Sequence, residues 1–141
     1  MKKKQKDLEN TLRKYSSELS FNRKNTIPIL ETELKSLVTK MGMSQATFKI
    51  QLNKGSEFYN NGTDEISFMF SANRGSDFKT LKKVVSGGEL SRIMLAIKAI
   101  LSQYKKLPTL IFDEIDTGVS GKISNSIAEV MGTISTKLQV F

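Results

Sequence analysis

The chain reads as a three-layer α/β fold with a helical arm in front of it, and three observations predict this. Apolar residues recur at helical spacing as Leu90, Ile93, Met94, Ile97 and Leu101, and again as Ile123, Ile127, Val130, Met131 and Ile134. Between these stretches lies Thr109-Leu110-Ile111-Phe112, the pattern of a parallel strand buried on both faces. From Lys2 to Met41 the composition is that of one long, strongly charged helix. Helix, buried strand, helix, strand is the repeat of a three-layer α/β fold, in which active-site residues gather at strand C-termini.

Taken in order, residues 1–41 are expected to form a coiled-coil stub. Leu8, Leu12, Tyr15 and Leu19 are spaced four, three and four apart, a heptad seam. Leu30, Leu34, Leu37 and Met41 repeat the spacing after a polar interruption from Asn22 to Thr26. An amphipathic helix lying on its own domain has the same pattern, so both readings stay open, and Pro28 either kinks one helix or starts a second. Gly42 is a helix stop. Residues 42–141 then form the globular part. Phe48, Ile50 and Leu52 alternate with polar neighbours, as do Ile66, Phe68 and Phe70, so two strands pair as a hairpin across a connection from Asn53 to Thr63. Asn61-Gly62-Thr63, which matches a glycosylation sequon, is read as a turn. Ala72 to Thr80 is an irregular loop, and Leu81 to Val85 leads into a Ser-Gly-Gly turn. After the strand at 109–112, Asp116 to Gly121 is a loop, and Leu138 to Phe141 opens another apolar strand.

Composition narrows the chemistry. The 141 residues are 38% hydrophobic, enough for one core with an appended arm. With no cysteine and no histidine, disulfide frameworks and thiolate or imidazole metal sites are excluded, and zinc is not expected. No apolar stretch is long enough to span a bilayer, and Lys2-Lys3-Lys4 is not followed by the apolar run of a signal peptide, so a cytoplasmic protein is expected. The net charge of +8 is concentrated on the arm, where residues 1–40 hold ten Lys/Arg against five Asp/Glu. Such an arm either meets nucleic-acid phosphates or is a solvated surface, and no basic patch interleaved with aromatics decides between them.

The most informative residues are Val85-Ser86-Gly87-Gly88-Glu89-Leu90-Ser91-Arg92 and the Asp113-Glu114 pair that ends the apolar strand. A Ser-Gly-Gly turn opening a helix offers backbone N–H groups and a positive dipole end to an anion such as a nucleotide γ-phosphate. Two adjacent acids at a strand end suit phosphoryl transfer, with Asp113 holding the magnesium shell and Glu114 orienting or deprotonating the attacking water. A phosphate-cradling G-x-x-x-x-G-K-[ST] loop is missing. The one Gly-Lys pair, Gly121-Lys122, is preceded five residues earlier by Asp116 and followed by Ile123. The chain therefore reads as a piece of a longer protein. Arg92, one turn into the helix, approaches phosphate or the interface, or is a solvent-facing or ion-paired structural arginine. The methionines at 41, 43, 69, 94 and 131 are read as core or gap fillers.

These residues carry a resemblance. Ser86-Gly87-Gly88-Glu89-Leu90-Ser91-Arg92 and Phe112-Asp113-Glu114-Ile115-Asp116-Thr117-Gly118-Val119-Ser120-Gly121, with the Met41-Gly42-Met43 turn and the Ser71-Ala72-Asn73-Arg74-Gly75 loop, resemble the C-terminal part of the RecN family of SMC-like bacterial DNA-repair ATPases. The resemblance implies a returning coiled-coil arm plus the C-terminal lobe of an ABC/SMC-type P-loop NTPase head. It implies that Ser86, Gly87, Gly88 and Glu89 are the signature motif that meets the γ-phosphate of ATP held by the opposite protomer. It makes Asp113 the Walker B magnesium ligand, acting through water, and Glu114 the general base. Asp116 to Ser120 matches the D-loop at the dimer interface, although Ser120 stands where SMC relatives close that loop with aspartate. ATP and Mg2+ are the implied cofactors. DNA, a second head and the N-terminal lobe of the same protein are the implied partners, with no membrane. The fragment alone is expected to be inactive, lacking Walker A and the switch histidine. Two other readings remain, a head piece of another cassette ATPase such as a transporter subunit and a non-enzymatic module that binds DNA or a partner.

Overall fold

The computed structural model describes residues 2–83, 87–106, 108–113, 115–116 and 119–141. Its elements are helix α1 (Lys2–Lys40), strands β1 (Thr47–Tyr59), β2 (Gly62–Ser71) and β3 (Lys79–Thr80), a 3-10 turn at Leu81–Lys83, helix α2 (Gly87–Tyr104), strand β4 (Thr109–Leu110), helix α3 (Gly121–Ser135) and strand β5 (Gln139–Val140). An antiparallel sheet in the order β1-β2-β3 stands beside a parallel pair, β4-β5.

Helix α1 is continuous through Pro28. At a rise of 1.5 Å per residue its 39 residues reach roughly 58 Å. It stops where the sequence predicts, for a reason visible in the hydrogen bonds. The Met43 N–H donates to Val38 O at 2.9 Å and the Gly42 N–H to Thr39 O at 3.2 Å, the paired bonds of a Schellman motif. The motif needs a left-handed residue, and Gly42 sits at φ +85°. A Cβ there would also stand 2.5 Å from Ile123 Cδ1, so glycine both ends the helix and lets α3 close on it.

The two apolar runs of α1 do different work. Leu34, Val38 and Met41 are fully buried, with Leu30 and Leu37 packed against the same core. Leu8, Leu12, Tyr15 and Leu19 are exposed at 58, 51, 58 and 42%. The second run therefore does not prolong the seam but carries the helix into the globular core, joining Met43, Ala46, Phe48, Phe70, Ile93, Leu95, Ile127 and Ile134. Phe48 and Phe70 face each other across β1 and β2 with ring centroids 5.4 Å apart.

Several expectations are corrected. The hairpin strands run far past 48–52 and 66–70, through the stretch expected to be a connection, and turn over Asn60-Asn61. The pairing jumps from Lys54↔Asp64 to Tyr59↔Gly62, so residues 55–58 bulge against Thr63 alone and erase the alternation that marks a strand. A Cβ on Gly55 would lie 2.8 Å from the Thr63 carbonyl oxygen, which explains the glycine in mid-strand. Within the expected loop at 72–80, Lys79 and Thr80 pair with Phe70 and Met69 as β3. The buried face of α2 is Arg92, Ile93, Leu95, Ala96 and Ile100, whereas Met94 and Leu101 are exposed. The buried face lies about a third of a turn from the predicted stripe, and Met94 is not a core filler. β4 is buried at Leu110, yet Ile111 is 78% exposed, so this chain alone does not cover both faces of the strand. The parallel pairing continues past the strand ends, with Phe112 N–H donating to Phe141 O at 2.8 Å and Phe141 N–H to Leu110 O at 2.9 Å.

Candidate nucleotide site

Helix α2 and strand β4 bring the two motifs to one end of the fold. α2 begins at Gly87 with its first turn's N–H groups unclaimed by the helix itself, and Gly87 is exposed while Gly88 is buried. Asp113 stands three residues beyond β4 and is exposed. The Ser91 hydroxyl donates to the main-chain oxygen of Asp113 at 3.0 Å, tying the first turns of α2 to the C-terminal end of β4. Sequence reasoning missed Ser91. Its signal was a hydroxyl one turn inside the Ser-Gly-Gly helix, too common a residue to single out.

The other expected site residues fall as follows. Ser86 and Glu114 lie outside the described residues, as do Thr117 and Gly118. Glu89 is half-buried in the first turn of α2, beside a cavity of about 260 Å3 lined by Asn73, Asp77, Lys79 and Lys83. Asp116 is exposed, and its carbonyl accepts from the Val119 N–H at 3.4 Å. Ser120 is the N-cap of α3 in extended conformation, and its hydroxyl makes no capping bond. Arg92, left open by the sequence, is buried at 8% exposure, and its Nε and Nη1 meet no acceptor among the described residues.

The donors here are one exposed carboxylate and helix N–H groups, the kinds that a hydrated hard cation and an anion take. Among the described residues no three His, Cys, Asp or Glu side chains come together, so no protein cage for a metal exists there. A single exposed carboxylate at Asp113 is what magnesium uses when it keeps its waters and takes the rest of its shell from a phosphate. The N-terminus of α2 supplies anion-directed N–H groups. Among the described residues no helix is long and apolar enough to cross a membrane.

A second polar centre, away from these motifs, was not foreseen. Ser16, Ser20 and Arg23 lie on one face of α1 against the hairpin tip. Ser16 Oγ and Thr63 Oγ1 share a buried hydrogen bond of 2.8 Å. Ser20 Oγ donates to Asp64 Oδ1 at 2.6 Å and Arg23 Nη1 to Asp64 Oδ2 at 2.6 Å, while Arg23 Nη2 donates to Asn61 O at 2.6 Å. The Ser20 hydrogen bond first, and the Arg23 guanidinium with it, hold the Asp64 carboxyl below its ordinary pKa against burial, which pushes the other way. The clue in the sequence is the 16, 20, 23 spacing of polar residues on a helix.

Comparisons with known proteins agree with the resemblance read from the motifs. The chain is 39% identical over 129 residues to the DNA repair protein RecN of Halalkalibacterium halodurans, covering 89% of this chain and 23% of that protein. It is 39% identical over 122 residues to RecN of Bacillus subtilis, covering 79% and 21%, and 36% identical over 128 residues to RecN of Treponema pallidum, covering 86% and 22%. It spans about a fifth to a quarter of the length of these relatives. No protein-family profile matches. Among solved structures, the Smc head domain with a coiled coil and joint from Pyrococcus yayanosii superposes with a TM-score of 0.58 at 20% identity, over 99% of this chain and 27% of that one. The Smc head bound to the C-terminal winged-helix domain of ScpA gives 0.54 at 18% identity, over 82% and 34%. By sequence the chain belongs with the RecN proteins, of which it spans about a fifth, and its fold is similar to part of the Smc head domains.

Proposed function

We propose that these residues are the returning arm (1–41) and C-terminal head portion (42–141) of an ATP-hydrolysing, SMC-like protein of DNA double-strand-break repair and recombination. The observation that carries this is the Ser91–Asp113 bond, which draws the Ser-Gly-Gly helix and the acid-bearing strand end together. The names of the RecN relatives support repair over the transporter reading.

In this reading the Ser86-Gly87-Gly88-Glu89 turn receives the γ-phosphate of a nucleotide bound to the opposite head, using the first-turn N–H groups of α2 and the positive end of its dipole. Asp113 would hold the magnesium ion that accompanies the nucleotide. Glu114 orients the attacking water and takes its proton. Asp116 and Ser120 face the second head through the loop before α3. ATP bound with Mg2+ supplies the transferable phosphoryl group and the charge neutralisation that makes it electrophilic. The chain alone is expected to be inactive, because the loop that cradles the β-phosphate lies in the N-terminal lobe. Partners are that lobe, a second head and DNA, and the location is cytoplasmic.

The test is Glu114→Gln in the intact protein that contains these residues. Removing a general base lowers turnover by about 100-fold or more, whereas ATP binding persists because the amide keeps the size and the polar contacts of the acid. Turnover within twofold of wild type, with repair intact, would instead favour a non-enzymatic module.

A further inference from the structure

The sequence holds no basic run interleaved with aromatics, yet the fold assembles one. Between α1 and the outer half of the hairpin lies a cleft of about 450 Å3. Helix α1 lines it with Arg13, Ser17, Phe21 and Lys24, spaced four, four and three apart along one face. Strand β1 lines it with Leu52, Lys54, Ser56 and Phe58, every second residue. None of the lining residues belongs to the Ser-Gly-Gly or Asp113 motifs.

The chemistry of this lining selects its ligand. Three cations stand against one carboxylate, Asp64, which Ser20 and Arg23 already engage. Among the described residues the ion pairs are Glu9–Arg13 and Arg23–Asp64, so Lys24 and Lys54 belong to neither. Both lysines are exposed, as is the Ser56 hydroxyl beside them in the cleft wall, a set that attracts a phosphate. Phe21 is 65% exposed and Phe58 38%, with the Arg13 guanidinium 5.7 Å from the Phe58 ring centroid. An exposed aromatic ring next to phosphate-directed cations is the arrangement on which nucleic-acid bases stack. The cleft volume falls within the range of small-molecule sites, about 300–1,000 Å3. The seam from Leu8 to Leu19 lies more than roughly a third of a turn round the helix from Arg13, Ser17 and Lys24, so a helix lying on that seam leaves the cleft open.

We infer that this cleft binds a nucleotide unit, its phosphate held by Lys24 and Lys54 and its base stacked on Phe21. The unit is either a free mononucleotide or one residue of a nucleic-acid strand. The site is separate from the proposed ATP half-site and needs neither a second head nor the phosphate-cradling loop.

Fluorescence anisotropy of the chain with two labelled probes, AMP and a 5′-phosphorylated thymidylate strand of about four nucleotides, tests this. Phe21→Ala should weaken binding by roughly 5- to 100-fold, the loss of one stacked base. Lys24→Gln combined with Lys54→Gln should weaken it about tenfold or more and flatten its salt dependence. Lys3→Gln combined with Lys4→Gln removes the same charge from the same helix outside the cleft, and should change binding by less than about twofold. All five positions are exposed, so the fold should survive each change. AMP binding as tight as that of the strand identifies a free ligand, and tighter or sole binding of the strand identifies a nucleic acid. No binding of either probe at millimolar concentration, equal losses from the two lysine pairs, or unchanged binding by Phe21→Ala would overturn the site. AMP carries no γ-phosphate for the Ser-Gly-Gly turn to receive, so this test and the Glu114→Gln turnover test can fail separately.

Discussion

Asp64→Ala releases the hairpin tip from the arm and exposes residues 62–66 to amide exchange roughly 30- to 150-fold faster than wild type. Removing this carboxylate leaves Arg23, only 22% exposed, without its ionic partner, and leaves the Ser20 hydroxyl without its acceptor. Breaking a buried pair from one side destabilises by about 3–5 kcal/mol, and the partial exposure of Arg23 reduces this to about 2–3 kcal/mol, which gives that range of rates. Gly62 at φ +97°, packed against Leu19, Arg23 and Ser16, holds the tip in place for the contact. The same carboxylate sets a pH dependence. Its folded pKa lies below the unfolded value, so its contribution is complete above the unfolded pKa, about 4, and fades as the pH falls through the folded one. Exchange at the tip should therefore be indifferent to this group between pH 8 and 5 and speed up below about pH 4, once corrected for intrinsic rates. An Asp64→Ala protein with wild-type protection at Thr63 and Glu65 would mean that the arm is held by something else.

Leu34→Ala is expected to lower global stability by about 2–4 kcal/mol. Leu34 is fully buried in the core where α1 meets the sheet and α2, and truncation there combines lost transfer energy with a residual cavity. Alanine preserves helix propensity, so the loss reports packing alone. For a chain of this size it corresponds to a fall in melting temperature of about 5–15 °C. Leu12→Ala is the matched control, since Leu12 is 51% exposed and its loss should change stability by no more than about 0.5 kcal/mol. Equal effects at the two positions would contradict the division of α1 into a half whose leucines enter the core and a half whose leucines are exposed.

That division shows how much of the fold was legible in the sequence. Heptad spacing at Leu8–Leu19 and Leu30–Met41 reads alike, because periodicity reports which side of a helix is apolar and not what covers it. The helix stop at Gly42 was legible because only a left-handed residue completes the Schellman bonds there. The outer half of the hairpin was hidden by the bulge at 55–58, where four residues face one and the period-two alternation breaks. The face of α2 was misread because a buried arginine and alanine displaced Met94 and Leu101 from the stripe that hydrophobicity alone selects. At the candidate site, Asp113 and the Gly87-Gly88 turn were legible as motifs. The Ser91 contact that joins them was not, since a hydroxyl's partner 22 residues away leaves no periodic trace. Ser86 and Glu114 fall outside the described residues, so their roles rest on the motifs and the resemblance.

The central claim, that these residues are one half of a composite ATP site, is tested most directly by mixing the pure chain with a separately made N-terminal lobe carrying the phosphate-cradling loop, and measuring magnesium-dependent ATP turnover. The account predicts turnover only when both pieces are present, and its loss when the mixed chain carries Glu114→Gln. Turnover by the chain alone, or by the N-terminal lobe at the same rate without it, would contradict the account.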